Sequence, residues 1–181
     1  NHNNYSNPFL PDGLIIKFND ESKIVWATLI QNTLGQYIND LIVSSSGQIY
    51  CLSEQIGSLS TPTTTIFFEQ DTIYSDHDFT SITKLDNNKN IVWRKDLHAE
   101  ISSSTLVQGD DSLFYLIGYS SSDVILEQDT LFHPNPVPTT HIPFMLIFDK
   151  YGNAQFFDFF EFNVNPREMI INAESEKYIC G

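Results

Sequence analysis

The chain has 181 residues, 41% hydrophobic and 13% aromatic, with 9 Lys plus Arg against 23 Asp plus Glu and a net charge of −14. That length can bury a sizeable core and would ordinarily make one domain, while the acidity argues against a nucleic-acid or anionic-membrane partner, both of which need a basic surface. No run of about 18 apolar residues is present to span a bilayer. The plain reading of the acidity is solubility of a β-rich surface; an acidic cation-binding or partner-steering face is the alternative.

In chain order, NHNNYSNPFLPDG lacks the basic start and apolar middle of a signal peptide. The segment 12–30, DGLIIKFNDESKIVWATLI, predicts two strands joined by a turn, and LIVSSSG (41–47) with QIYCLSE (48–54) predicts two more. TIFFEQDTIY (65–74) precedes FTSITKLDNNKNIVWRKDLH (79–98). The series then recurs as LVQGDDS (106–112), LFYLIGY (113–119), VILEQDTLF (124–132) and FMLIFDKYGNAQFFDFFEF (144–162). IINAESE (170–176) and KYICG (177–181) close the chain. All are short runs of β-branched and aromatic residues separated by Asn, Asp, Ser and Gly, which reads as strands. No 3.6-residue apolar period is sustained, so almost no helix is expected.

The recurrence has a fixed period. Trp26, Trp93 and Phe156 lie 67 and then 63 residues apart, and Tyr50, Tyr115 and Tyr178 lie 65 and 63 apart. Self-similarity in this range marks a repeat architecture, whose units bury their apolar faces on one another. LIIKF, FYLIG and MLIF are apolar on both faces, which predicts sheets packed on both sides. The pattern gives four strands per unit: 39–44, 48–54, 79–86 and 90–97, then 103–108, 113–119, 143–149 and 154–161. Residues 13–30 supply strands three and four of a preceding unit, and 168–181 supply strands one and two of a following one. The two EQDT segments fall between second and third strands, as an extra edge hairpin. The phase of the marks reads as a chain cut mid-unit at both ends, out of a longer protein or closing with copies of itself.

NDES (19–22), DNNK (86–89) and DKYG (149–152) each open on Asn or Asp and join two strands. A calcium loop would need several oxygen ligands at alternate positions around a central Gly. The three copies do not keep that pattern, so hairpin turns are expected, with Gly152 suited to positive φ. Cys51 and Cys180 match Leu116 and Ile179, and Leu52 and Ile117, in the other copies. Both therefore read as small core hydrophobes rather than a disulfide or metal pair.

Catalytic chemistry finds little footing. His2, His77, His98, His133 and His141 are scattered and form no short metal-ligand pair. There is no phosphate loop and no nucleophile elbow. Glu69 and Glu127 are equivalent by repeat, so they belong to successive units rather than to one carboxylate pair. The clearest difference between units is the stiff stretch HPNPVPTTHIP against the polar GSLSTPTTT, a place for specificity or a tolerated insertion. No catalytic, cofactor-binding or metal residue is assigned.

IVSSSGQIYCLSE followed by FTSITKLDNNKNIVW, and LVQGDDSLFYLIGY followed by FMLIFDKYGNAQF, resemble DSSGNVYVTG and DIFVAKYDSNGNVLW. These phrases typify the bacterial β-propeller repeats of secreted and cell-surface proteins, especially in Bacteroidota. Ser53, Gln155 and Phe156 depart from the pattern. The resemblance implies an all-β fold of propeller-like blades, each of four antiparallel strands, with about two complete blades and a half-blade at each end. The division would be an extension (1–11), a half-blade (12–36), blades at 37–98 and 99–164, and a half-blade (165–181). It further implies a non-catalytic extracellular or cell-surface scaffold or adhesion module, without cofactor. Partners would be a protein or further copies of the repeat. A glycan-binding propeller, or an accessory domain of an enzyme whose catalytic part lies elsewhere, are the alternatives; aromatics on exposed loops would favour the glycan reading.

Overall fold

The computed structural model describes residues 12–56, 63–75, 77–99, 101–109, 113–127, 129–131, 141–160, 168–171 and 177–180. They form strands and no helix. In chain order these are β1 (Gly13–Phe18), β2 (Ile24–Asn32), β3 (Gln36–Val43), β4 (Ile49–Gln55), β5 (Thr63–Phe67), β6 (Asp71–Ser75), β7 (Phe79–Leu85) and β8 (Ile91–His98). There follow β9 (Ile101–Gln108), β10 (Leu113–Ser120), β11 (Val124–Leu126), β12 (Asp129–Leu131), β13 (Ile142–Asp149), β14 (Ala154–Phe159), β15 (Glu168–Ile171) and β16 (Lys177–Cys180).

The fold is all-β and antiparallel. The first sheet runs β1-β2-β5-β6, the second β12-β11-β8-β7-β4-β3, the third β14-β13-β10-β9, and the fourth is the hairpin β15-β16. The predicted four-strand meanders are β3-β4-β7-β8 and β9-β10-β13-β14, with strand ends shifted by at most three residues. The EQDT segments are hairpins, as expected, but neither joins the sheet between whose strands it is inserted. β5 pairs with β2 through Ile30↔Phe67, Gln31↔Ile66 and Asn32↔Thr65. β11 pairs with β8 through Ile125↔His98 and Leu126↔Leu97. The reason is an open row of backbone donors and acceptors on the outer strand of the preceding unit, which the hairpin satisfies.

The turns repeat in atomic detail. Asn19, Asp86 and Asp149 each accept, through the side-chain oxygen, the N–H groups two and four residues on. The fourth residue is left-handed in every copy, with φ of 60° at Ser22, 66° at Lys89 and 85° at Gly152. Strand register slips just before each turn, at Lys17/Phe18, Lys84/Leu85 and Ile147/Phe148. This is the three-residue hairpin loop with its bulge. The second oxygens of Asp86 and Asp149 accept from the Asn90 and Asn153 side-chain amides, at 2.9 and 3.0 Å. Asp86 is held below the usual carboxylate range by hydrogen bonds from the Asn90 side chain and from backbone N–H groups. At Asp149 burial opposes the same effect, but bonds from Asn153, Tyr151 and Gly152 outweigh it.

Three cores lie between successive sheets. Ile15, Ile30, Ile49, Cys51, Phe67 and Leu85 join the first to the second. Tyr50, Leu52, Ile82, Phe114, Leu146 and Phe148 are among those joining the second to the third, and Tyr115, Ile117 and Met169 join the third to the fourth. The second sheet is thus covered on both faces, and all seven residues of β7 are buried. Burial there extends to Thr83 and Lys84, beyond what the apolar pattern of FTSITKL indicates. β1 departs in the other direction. Leu14, Ile16 and Phe18 are 52%, 38% and 54% exposed, because among the described residues no sheet covers that face. Cys51 is fully buried and unpaired, and burial pushes its thiol up to about 12. It is the core residue the repeat alignment predicted; the Cys180 side chain lies outside the described residues.

Candidate functional site

The repeated tryptophans are docking residues. The indole N–H of Trp26, on β2, donates to the Asn87 carbonyl in the next sheet's turn, at 3.1 Å. Trp93, on β8, donates to the equivalent Lys150 carbonyl, also at 3.1 Å. Lys84, buried in β7, donates to the same Lys150 carbonyl at 2.9 Å. Burial lowers the Lys84 pKa, repulsion from Lys150 adds to that, and Asp149 opposes it. Phe156 occupies the third equivalent position, has no donor, and is 44% exposed.

A cleft of about 210 Å³ opens at the opposite end of the sheets, between the second and the third. Glu54, Asp78, Phe79, Thr80, Ala99, Ile101 and His141 line it. They come from the end of β4, the approach to and start of β7, the β8–β9 link, and the residue before β13. Both long links, 56–78 and 121–141, leave and return at this end. Glu54 points to the third sheet because alternate residues of β4, Tyr50 and Leu52, pack there. A bulge between Ile38 and Asp40 in β3 lets Asn39 donate to Glu54 at 3.3 Å. Next to it, Asp40 accepts from Thr105 Oγ1 at 2.9 Å and from the Leu106 N–H at 2.8 Å, tying β3 to β9 below the cleft. At the rim, the rings of Tyr119 and His141 meet edge to face at 5.4 Å.

Burial pushes the Glu54 carboxyl above its usual range; the Asn39 hydrogen bond opposes this, and the Asp78 charge adds to it. A carboxyl raised on folding binds its proton more tightly in the native state. Its contribution to stability is therefore complete below the ordinary carboxylate pKa and is lost as pH rises through the native one. Thermal unfolding between about pH 4 and pH 7 should show this slope in the native chain and lose it in Glu54→Gln. An unchanged slope in the variant would assign the pH dependence elsewhere. Chemically the cleft offers acceptors, an imidazole and an aromatic rim, suited to a ligand rich in hydroxyl or amino groups. Among the described residues no group of three or more His, Cys, Asp or Glu converges as a metal site.

Of the scattered histidines, His141 lines the cleft, His98 stacks near Phe79 at 5.9 Å, and His77 is exposed beside Ser75. His2, His133 and most of the HPNPVPTTHIP and GSLSTPTTT stretches lie outside the described residues. Glu69 and Glu127 sit on separate hairpins, paired with Lys89 and Lys95 respectively. Sequence reasoning missed Glu54 and Asp78. Their one signal is an acidic residue at the end of an otherwise apolar strand and another just before the following strand.

No family model, no curated protein and no solved structure matches the chain.

Proposed function

We propose that the chain is a run of β-propeller blades serving as a non-catalytic extracellular or cell-surface interaction module, with the cleft end as its binding face. The observation that supports this most is the repeated docking of Trp26 and Trp93 onto the second residue of the next sheet's turn. Stacked, covered sheets of this kind form a rigid scaffold, and loops carried by a rigid scaffold are where binding residues concentrate. A protein partner is the first reading. The cleft's carboxylates and the Tyr119–His141 rim favour glycan binding as the second. A triple variant, Glu54→Gln with Asp78→Asn and His141→Ala, serves for the test beside the native chain. Pull-down of a defined surface protein that the triple variant fails to retain, with no signal on a glycan array, supports the first reading. Glycan binding lost in the variant supports the second. Retention of every ligand by a folded variant would remove the cleft from either.

A further inference from the structure

Four buried side-chain oxygens have no hydrogen-bond partner among the described residues: Thr28 Oγ1, Gln36 Oε1, Gln55 Oε1 and Thr83 Oγ1. All four face the joint between the first and second sheets. Thr28, Thr83 and Gln55 lie on the strand faces of Ile30, Leu85 and Cys51, which form that core. Gln36 faces Gln55 across one rung of the β3–β4 ladder. The threonines stand singly on opposite sheets, whereas the glutamines stand together, 1% and 0% exposed. Their amide nitrogens are committed: Gln36 Nε2 donates to the Ile30 carbonyl of the first sheet at 2.5 Å, and Gln55 Nε2 donates to Ser53 Oγ at 2.8 Å. The two Oε1 atoms are both acceptors and cannot satisfy each other.

This arrangement differs between joints. Gln36 opposes Gln55 where Ile101 opposes Ser120 in the next sheet, and Gly13 opposes Ile30 where Thr80 opposes Leu97. A Cβ at Gly13 would lie 2.5 Å from Gln36 Nε2, so the glycine makes room for the amide. In the next joint the replacements, Ile101 and Thr80, line the cleft. One joint is filled by a carboxamide at the place where the other opens.

We infer that a single buried water molecule bridges the Gln36 and Gln55 carboxamides and is a fixed part of the joint between the first and second sheets. Side chains facing across a rung have Cβ atoms about 5 Å apart. Water presents two O–H donors at one point, and bonds of about 2.8 Å each reach two acceptors about 4–5 Å apart. Buried water characteristically joins polar groups that lack another partner. Two neutral oxygens are too few for a calcium ion, which takes six or more, and carboxamides covered to this degree admit nothing larger. The bridge completes a path from the Ile30 carbonyl through Gln36, water and Gln55 to Ser53. It ties β2 to β3 and β4 at the cleft end of the sheets, as Trp26 ties the same two sheets at the turn end. The site is separate from the cleft and holds whatever the cleft binds.

A crystal structure of the native full chain, at a resolution that shows ordered water, should place one water within hydrogen-bond distance of both Oε1 atoms. A direct bond between the two amides, or no water between them, would overturn the proposal without any variant having to fold. In solution, water-oxygen relaxation dispersion should count one long-lived water fewer in the double variant Gln36→Leu with Gln55→Leu than in the native chain. An unchanged count in the folded double variant would also overturn it. Gln55→Leu alone strands the Gln36 oxygen, so the folding equilibrium constant read from urea unfolding should fall about 5- to 100-fold. Adding Gln36→Leu to Gln55→Leu should then lower it by less than Gln36→Leu does alone, because the bridge is already broken. Strictly additive losses would show the two carboxamides to be uncoupled and would overturn the bridge.

Discussion

Trp93→Ala is expected to lower the unfolding free energy by about 3 kcal/mol, the low end for a large aromatic because the side chain is only half-buried. Its ring meets Tyr50 at 5.9 Å and Phe148 at 5.7 Å, and Phe114 completes the cluster by lying 3.9 Å from Tyr50 and 5.6 Å from Phe148. These four side chains join the second sheet to the third. Trp93→Phe keeps most of the ring and removes the indole N–H, so a loss of about 1 kcal/mol is expected. Trp26→Phe should lose a similar amount, because Trp26 makes the equivalent bond. Urea unfolding followed by circular dichroism measures all three. Equal, near-zero losses in both Phe variants would show that the indole bonds contribute nothing to stacking.

Phe67→Ala should cost about 3–5 kcal/mol. Phe67 is fully buried although it sits in an inserted hairpin. The Arg94 guanidinium, from the second sheet, lies 4.4 Å from the centre of its ring and forms an ion pair with Asp71 at 2.5 Å. Gln70 adds a second clasp: its amide donates to the Lys89 carbonyl at 2.6 Å and accepts the Ile91 N–H at 2.8 Å. The hairpin thus holds the first sheet to the second as well as extending the first. A double-mutant cycle between Phe67→Ala and Arg94→Met should give a coupling of about 0.5–2 kcal/mol. Strict additivity would reduce the hairpin to an edge strand with no clasping role.

Much of this was legible in the residues. Strand-forming runs and turn chemistry are local, so the strands and the Asx-opened hairpins follow from neighbours a few positions apart, while the core place of Cys51 follows from its match to Leu116 in the next copy of the repeat. The repeated Tyr and Trp positions gave the order of strands seen in β3-β4-β7-β8 and β9-β10-β13-β14. The destination of the EQDT hairpins was not legible. A hairpin's own sequence fixes its turn, whereas its partner is whichever open edge the stacking brings near; here that is β2 for β5 and β8 for β11. Nor was the cleft, since Glu54, Asp78 and His141 are far apart in the chain and converge only where two sheets meet.

By itself, then, the sequence determined an all-β repeat with its strands, its turns and the residues that mark each unit. Side-chain period and backbone conformation are short-range properties, and the repeat writes them several times. Only the tertiary structure decided which sheet each inserted hairpin joins, which faces are covered, and that among the described residues no sheet covers Leu14, Ile16 and Phe18. Those outcomes depend on sheet-to-sheet distance and on competition for open backbone edges, which no local run of residues encodes.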